Sequence, residues 1–526
     1  MQRERVIKNP VLRGFNPDPS ILRVGDDYYI ATSTFEWFPG VRIHHSRDLI
    51  HWRLLTHALT RTSQIDLLGD PASGGVWAPC LSHDGRLFHL AFTDVKSRGA
   101  GFVDAHNYLT TAPDIAGPWS DPTYLNSSGF DPSLFHDDDG RKWLVNMIWD
   151  HRSGKKSGGI VLQEYDPAGK TLAGRPVLIF RGTLYGMTEG PHLYKRNGFY
   201  YLVTAEGGTG FDHMVTVARS RTLAGPYEVD PRNPILTSRS NPALPLQKAG
   251  HASLVATQDG SWYLAHLCGR PLPGTRLCHL GRETAIQKCH WTADGWLRLS
   301  GGGNEPALEV EAPDLPACPW PAEPGRDDCD APTLGPEFNT LRSPPAADWL
   351  SLTERPGYLR LRGRESLTSC FRVSLVARRL QSFQCEATMR LEFSPETFQQ
   401  SAGLVCIYDH RHFLFLRVSH DESAGRNVAV LAEDQGRLSP SDEVPIDAAA
   451  PCYLRVRFDD RAVQFFHSAD AGTWRPIGPQ YDAGKLSDDY CQGFTGTFIG
   501  LAATDSSGRS IRADFDFFEY REQEEA

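Results

Sequence analysis

The sequence lacks the features that would place it in a membrane or on nucleic acid. No apolar run approaches the roughly 20 residues that a transmembrane helix needs. An excess of basic residues is also missing: the formal net charge is −10 at pH 7. This charge argues against nucleic acid and anionic membranes as partners, since both attract basic surfaces. The first ten residues contain no apolar segment of the kind found in secretory signal peptides.

Closely spaced cysteine pairs are missing as well. The eleven cysteines are an odd number and are scattered along the chain without a Cys-x-x-Cys spacing. This distribution fits reduced thiols better than a disulfide framework or a zinc site, and it predicts a cytoplasmic protein. Long stretches of helical periodicity are almost absent, which favours an all-β fold.

One short pattern occurs five times in the first half of the chain. Each copy has a leading residue, a small residue or proline, an apolar pair, a glycine-containing hairpin turn and an aromatic return strand. The leading residues are Asp18, Trp77, Asp131, Glu189 and His251. Their spacings of 59, 54, 58 and 62 residues suit four short strands per copy. We therefore predict a five-bladed β-propeller.

Equivalent positions of the blades point to the same region of a propeller, so the five leading residues should converge near the mouth of the central channel. Three of them are acids, and converging like charges are costly in a purely structural repeat. The alternative is that Asp-Pro-Ser is only turn chemistry at the start of a strand. That alternative explains Asp18 and Asp131 separately, but not Glu189 in register with them.

The pattern ends in the second half of the chain. A Pro-rich stretch at residues 313–325 is typical of a linker. Residues 326–526 contain many short alternating strands, which predict an antiparallel β-sandwich of about 200 residues. We assign residues 1–312 to the propeller and expect residues 1–15 to supply the strand that closes its ring.

Several motifs closely resemble those of the glycoside hydrolase family 43 β-xylosidases of the two-domain bacterial type. They are residues 16–20 (Asn-Pro-Asp-Pro-Ser), 77–79 (Trp-Ala-Pro), 129–133 (Gly-Phe-Asp-Pro-Ser), 188–192 (Thr-Glu-Gly-Pro-His) and 280–284 (Leu-Gly-Arg-Glu-Thr). The resemblance covers nearly the whole chain, because the larger bacterial members carry a concanavalin-like β-sandwich after their propeller. It implies an inverting exo-glycosidase that releases xylose from the non-reducing end of short β-1,4-xylo-oligosaccharides. It also implies that α-L-arabinofuranosidase activity can accompany this reaction.

The resemblance also implies roles for the acids. Asp18 is the expected general base and Glu189 the general acid, while Asp131 tunes the pKa of Glu189 and orients the sugar. Inverting hydrolysis needs two carboxyl groups roughly 6.5–9.5 Å apart, which the leading residues of different blades can supply. Arg282 is expected either to bind substrate and pair with Asp131 or to pack within its blade.

Further residues are expected to shape the pocket. Phe35, Trp77 and Trp149 offer apolar faces for the sugar, although core positions are alternatives for Phe35 and Trp149. His251 is expected to be either a structural histidine or a ligand of the substrate. It could also bind a water-coordinated divalent cation such as calcium in the channel, but one histidine without a cluster is weak evidence for a metal. The predicted chemistry requires no cofactor.

The sandwich is interpreted either as a carbohydrate-binding module or, by the resemblance, as a lid that closes the pocket. The best candidate for a lid residue is Phe494, in the glycine-flanked stretch 493–498. A closed pocket accepts chain ends only. The alternative functions are an arabinofuranosidase or arabinanase-type hydrolase, and a sugar-binding propeller without catalysis. The resemblance also predicts a homo-oligomer, either a tetramer or a dimer.

Overall fold

The computed structural model describes residues 5–99, 101–154, 156–448 and 450–523, which form almost entirely β-structure. Five antiparallel sheets follow one another along the first half of the chain, and we call them blades 1 to 5. Blade 1 consists of Ser20–Val24, Asp27–Thr32, Gly40–Ser46 and Arg53–Leu59, and blade 2 of Gly75–His83, Phe88–Ser97, Asp104–Ala112 and Thr123–Asn126. Blade 3 consists of Ser133–His136, Lys142–Asp150, Lys156–Asp166 and Thr171–Phe180, and blade 4 of Glu189–Arg196, Phe199–Glu206, Met214–Ser220, Glu228–Val229 and Leu236–Thr237. Blade 5 consists of Gln247–Ala256, Trp262–Gly269, Glu283–Trp291 and Leu297–Leu299. The predicted five-bladed propeller is confirmed.

Local sequence explains the tight turns of the blades. In blade 4, the two-residue turn Asn197-Gly198 joins the first two strands, and both residues have positive φ, 50° and 74°. Asparagine and glycine tolerate this conformation at low steric cost, and its twist matches that of the flanking strands. The aromatic residues after the turn then pair with the inner strand, as Tyr201 does with Tyr194.

Neighbouring blades are joined by apolar contacts and by serines of the inner strands. Ser20 of blade 1 accepts a hydrogen bond from the Leu81 N–H of blade 2. The Ser253 hydroxyl of blade 5 donates to the carbonyl of Pro19 and accepts from the Ile21 N–H, both in blade 1. Ser253 therefore connects the last blade to the first.

The prediction that residues 1–15 close the ring with a strand is wrong for residues 5–15, and residues 1–4 lie outside the described part of the chain. All strands of blade 5 come from one continuous segment of the chain. The strand Val6–Lys8 instead pairs with Glu309–Glu311 in a separate two-stranded sheet, and only a single bridge joins Leu12 to Thr284 of blade 5. Residues 6–12 thus contact blade 5 and the segment that follows it.

The second half of the chain is a β-sandwich, and two extended antiparallel sheets enclose its core. The strands of the first sheet, in spatial order, are Leu350–Ser351, Leu359–Arg362, Arg512–Glu522, Gln384–Glu392, Cys452–Asp459, Ala462–Ser468 and Arg475–Asp482, with Arg326–Asp327 also paired to Arg512–Glu522. Those of the second are Arg437–Pro440, Gly425–Asp434, His412–Asp421, Gln400–Asp409, Phe498–Asp505, Ser374–Arg379, Asn339–Leu341 and Trp37–Phe38, with Val444–Pro445 paired to Gly425–Asp434. The helical segments are the α-helix Asp488–Cys491 and the 3₁₀ turns Arg152–Gly154 and Ala483–Leu486. None of the helices in the described ranges has the length and apolarity needed to cross a membrane.

The propeller and the sandwich contact each other through a shared sheet, a stacked ring pair and a buried ion pair. The short strand Trp37–Phe38, which follows the second strand of blade 1, pairs with Asn339–Leu341 and so completes a sandwich sheet. The Trp37 ring stacks on Phe498 with ring centroids 3.7 Å apart. The buried ammonium of Lys248 lies 3.0 Å from Asp488 and 2.8 Å from Asp489 of the sandwich.

We expect the Lys248→Met variant to lose about 3–5 kcal/mol of stability, because the variant leaves two carboxylates at the domain interface without their cation. Urea unfolding of the full chain measures this loss. The matched control is Lys288→Met, which removes an ion pair with the exposed Glu311. This variant should lose less than about 1 kcal/mol of stability. Equal losses in the two variants would contradict a structural role for the interdomain pair.

Candidate active site

The first strand of each blade contains, or closely follows, a residue with left-handed backbone geometry. These residues are Asp18, Ala78, Asp131, Gly190 and His251, with φ between 40° and 56°. Such geometry is rare outside glycine and concentrates at functional sites. Blades 2, 4 and 5 have an irregular register at this point. In blades 2 and 4, Trp77 and Glu189 lie one residue before the left-handed position. The prediction that Glu189 is in register with Asp18 and Asp131 is therefore wrong by one residue.

Asp18 is buried and accepts hydrogen bonds from both sides. The Ser33 hydroxyl donates to its Oδ2 at 2.7 Å, and a terminal nitrogen of Arg282 donates to its Oδ1 at 3.2 Å. The Nδ1 of His251 lies 3.5 Å from the same Oδ1. Burial by itself raises the pKa of Asp18, but Arg282, His251 and Ser33 together outweigh it, so that the pKa lies below its ordinary value. Asp18 is thus ionised near neutral pH.

Glu189 has the opposite electrostatic environment. Burial and then the negative charge of Asp18 raise its pKa to about 8, against the opposing effect of Arg282. Among the described residues, none forms a hydrogen bond with the Glu189 carboxyl group. Glu189 therefore keeps its proton at neutral pH while Asp18 does not, and the two acids differ in charge within one pocket.

Asp131 is electrostatically coupled to Glu189. Burial, followed by the charges of Glu189 and Asp18, raises its pKa well above the ordinary value. Its Oδ2 accepts a hydrogen bond of 2.9 Å from the Gly190 N–H, which favours the ionised form. Among the described residues, the Glu189 carboxyl group has no comparable hydrogen-bond donor. The two groups titrate as a pair rather than independently.

Arg282 pairs with Asp18, not with Asp131 as the sequence interpretation had it. A terminal nitrogen donates to Asp18, and the same nitrogen donates to the Thr209 hydroxyl at 2.7 Å. The second terminal nitrogen donates to the carbonyl of Phe494 at 3.0 Å. The positively charged group thus lies against the acid with the lowest pKa of the three, which explains much of the difference between them.

The carboxyl groups line a cavity of about 510 Å³ at the top of the propeller, and every predicted site residue lies on its wall. Phe35 and Trp77 pack together with ring centroids 5.7 Å apart. Trp149 lies beyond Phe130 and donates its indole N–H to the Gly101 carbonyl. Phe35 is almost fully buried, so it is a core residue that also contributes to the wall.

Phe494 of the sandwich forms one side of this cavity. Its ring lies edge-on to Trp77 with centroids 5.7 Å apart, and its N–H donates to the Ser73 hydroxyl. The loop is seated closely on the propeller: a Cβ atom on Gly281 would lie 2.6 Å from the Thr495 carbonyl oxygen. A side chain at Gly281 would therefore push the sandwich loop away from the pocket.

His251 contacts Gly190 and Asp18 rather than a set of metal ligands. A Cβ atom on Gly190 would lie 3.0 Å from the imidazole, so glycine permits this close approach. Burial, with Arg282 in support, lowers the pKa of His251 against the effect of Asp18. Within the described ranges, His251 does not belong to any group of three side chains whose ligand atoms are close enough to hold one ion. The residues at His251 therefore do not fit a cation held by three protein ligands.

Several wall residues were not predicted from the sequence. Thr209 lies in the glycine-rich segment 207–210, and Arg98 places its guanidinium 4.4 Å from the centre of the Phe494 ring. Phe130 lies between Trp77 and Trp149. The cluster of glycines directly after a blade strand was a signal for Thr209, whereas nothing in the repeat pattern marked Arg98.

Two family models together match most of the chain. Residues 7–297 match the model for glycosyl hydrolases family 43. Residues 326–521 match the model for the concanavalin A-like C-terminal domain of β-xylosidases. The first match spans the propeller with all three carboxyl groups, and the second spans the sandwich with Phe494.

Individual relatives align over nearly their full length. A β-xylosidase of Bacillus subtilis (strain 168) is 50% identical over 533 residues, which cover 98% of this chain and 100% of that protein. A xylosidase/arabinosidase of Humicola insolens is 49% identical over 537 residues, covering 98% and 97%. The crystal structure of a xylan β-1,4-xylosidase from Bacillus halodurans C-125 is 56% identical, has a TM-score of 0.97, and covers 98% of this chain and 100% of that one. From its sequence motifs, its two-domain fold and these matches, the chain belongs to glycoside hydrolase family 43.

Proposed function

We propose that this glycoside hydrolase is an inverting exo-β-xylosidase that releases xylose from the non-reducing end of short β-1,4-xylo-oligosaccharides. The observation that carries the proposal is the division of charge in the pocket: Asp18 is held ionised while Glu189 is held protonated. Hydrolysis of a glycosidic bond needs one carboxylic acid and one carboxylate on opposite sides of the scissile bond. Relatives of about 50% identity over their full length carry the name of xylosidase.

In the proposed mechanism, Glu189 donates its proton to the departing glycosidic oxygen. Asp18 removes a proton from a water molecule that attacks the anomeric carbon from the opposite face, which inverts its configuration. Asp131 binds the sugar and influences the pKa of Glu189, because the two buried carboxyl groups titrate as a coupled pair. Arg282 and Ser33 keep Asp18 ionised between turnovers.

The shape of the cavity supports exo cleavage. Phe35, Trp77 and Phe494 form a continuous aromatic wall along one side of the cavity, and we infer that a chain enters it with its terminal sugar. Apolar ring faces pack against the C–H surfaces of a pyranose, and polar groups at the bottom of the pocket bind its hydroxyls. The Humicola insolens relative, named as both xylosidase and arabinosidase, supports α-L-arabinofuranosidase as a side activity. A cytoplasmic location, a homo-oligomeric assembly and a calcium ion in the channel stay predictions from the sequence.

We expect turnover of p-nitrophenyl β-D-xylopyranoside with a higher kcat/KM than that of p-nitrophenyl α-L-arabinofuranoside. Initial rates with both substrates, and with xylobiose and arabinobiose, measure this preference. A preference for the arabinosides would favour the arabinofuranosidase alternative. Saturable binding of xylobiose without any hydrolysis would instead identify a sugar-binding propeller.

The roles of the two acids predict different leaving-group effects in their variants. Glu189→Gln should lower kcat/KM on xylobiose about 10²–10⁴-fold, but much less on 2,4-dinitrophenyl β-D-xylopyranoside, whose leaving group needs no proton. Asp18→Asn should lower activity on both substrates by a similar factor, because each needs the attacking water. Glu228→Gln, at an exposed position of blade 4, is the control and should leave both rates unchanged. Equal losses on both substrates in Glu189→Gln would contradict its role as the acid.

The pKa directions predict a bell-shaped pH profile of kcat/KM. Activity requires ionised Asp18, so it should be lost only as the pH falls below the ordinary aspartate value of 3.8. It requires protonated Glu189, so it should decline as the pH rises through about 8. The dinitrophenyl substrate tests the second assignment, since the residual activity of Glu189→Gln should lack the alkaline decline. An unchanged alkaline limb in that variant would assign the limb to another group.

A further inference from the structure

A group of basic side chains is buried where blade 1 meets the sandwich, outside the pocket described above. We call it the basic cluster, and it consists of Thr32, Arg42, His44, His57 and Arg379. Arg42 pairs across the sheet with Thr32 on one side and with His57 on the other, so the three side chains share one face of blade 1. His44 follows two residues later on the same face. Arg379 comes from the sandwich strand Ser374–Arg379.

This placement is enforced by the alternation of the strand. Val41 and Ile43 belong to the apolar core between blades 1 and 2, so Arg42 and His44 must face the other way. Arg379 is anchored from the opposite domain, because its guanidinium donates to the Phe15 carbonyl and to the Asn339 side chain. The basic cluster is thus built by rigid strands of both domains.

Each member has a buried polar atom that forms no hydrogen bond with any described residue. These atoms are Thr32 Oγ1, Arg42 Nε, His44 Nδ1, His57 Nε2 and Arg379 Nη2. All five side chains are at least nine-tenths buried. Unpartnered buried polar atoms are rare in folded proteins, and five in one cluster indicate a binding partner or ordered solvent.

The positive charge of the basic cluster is also without a directly contacting carboxylate among the described residues. Among the described residues, neither Arg42 nor Arg379 forms a salt bridge. Burial lowers the pKa of Arg42 to about 10, and burial together with the charge of Arg42 lowers that of Arg379. The carboxylates of Glu323 and Glu337 act on Arg42 in the opposite direction, but neither is in ion-pair contact with it.

The two histidines add donors rather than charge. Burial, followed by the positive charges of Arg42 and Arg379, lowers the pKa of both His44 and His57 well below the ordinary value. Each imidazole is therefore neutral at pH 7 and can donate one N–H. The basic cluster offers guanidinium, hydroxyl and imidazole donors around two positive charges.

We propose that the basic cluster binds a small inorganic anion, such as chloride, between the propeller and the sandwich. Ordered water would satisfy the donors but would leave two buried guanidinium groups without a counter-charge, which is strongly unfavourable. A bound anion accepts hydrogen bonds from these donors and also neutralises the charge of the guanidinium groups. Because the anion contacts side chains of both domains, it stabilises the folded chain by mass action.

Thermal unfolding of the full chain tests this proposal. At constant ionic strength, replacing gluconate by chloride should raise the Tm of the wild-type protein until the site is saturated. In Arg379→Met the chloride-dependent rise should be lost, while the hydrogen bonds to Phe15 and Asn339 that this variant also loses should lower its Tm equally in gluconate and in chloride. A Tm that does not respond to chloride, or an equal response in Arg379→Met, would overturn the proposal.

The matched control is Arg364→Met in the same domain. Arg364 also lacks a salt bridge within the described ranges, but protein oxygens of Ser374 and Val373 accept its hydrogen bonds. This variant should lose stability yet keep the full chloride-dependent rise in Tm. Loss of the rise in Arg364→Met would show that the response does not come from the basic cluster.

Crystals soaked in bromide give an independent test that does not require a variant to fold. The proposal predicts an anomalous difference peak in contact with the guanidinium groups of Arg42 and Arg379. An ordered water at that place, or the Glu323 carboxylate rotated into contact with Arg42, would overturn it.

Discussion

Arg282 donates hydrogen bonds to Asp18, to Thr209 and to the carbonyl of Phe494, so one guanidinium joins three walls of the pocket. Its position decides which of the converging carboxyl groups is ionised. Asp18 takes the direct contact and its pKa falls, whereas the pKa of Glu189 stays raised by burial and by the charge of Asp18. Phe494 belongs to the sandwich, and its carbonyl holds the Arg282 guanidinium. The ionisation of the carboxyl groups in the propeller therefore depends on how the sandwich packs against it.

The left-handed residue in or just before the first strand of each blade gives the pocket its asymmetry. In blades 1 and 3 that residue is itself an acid, Asp18 or Asp131, while in blade 4 it is Gly190 and the acid precedes it. This shift leaves the Gly190 N–H free to donate to Asp131 and leaves room for His251 beside it. A repeat that was identical in all blades would make its three acids chemically equivalent, and the irregular register of blade 4 removes that equivalence.

The repeat pattern was enough to predict the propeller and to bring Asp18, Asp131 and Glu189 into one pocket, because equivalent positions of successive blades must converge. The family and the all-β fold are confirmed. The pattern could not reveal that Arg282 pairs with Asp18. Asp18 and Asp131 both lie at the channel mouth, and only the side-chain geometry shows which of them the guanidinium contacts. Arg98 was missed for a related reason: it lies in a connection between strands that does not repeat, where no periodicity marks a side chain.

Inverting hydrolysis requires Asp18 and Glu189 to act from opposite faces of the sugar, with a water molecule on the side of Asp18. The most direct test is the configuration of the first product, followed by proton NMR during rapid hydrolysis of a β-xyloside at high enzyme concentration. We expect α-xylose to appear first and β-xylose to form only later, through mutarotation. If β-xylose appeared first, the reaction would retain configuration, and one of these two carboxyl groups would have to act as a nucleophile instead.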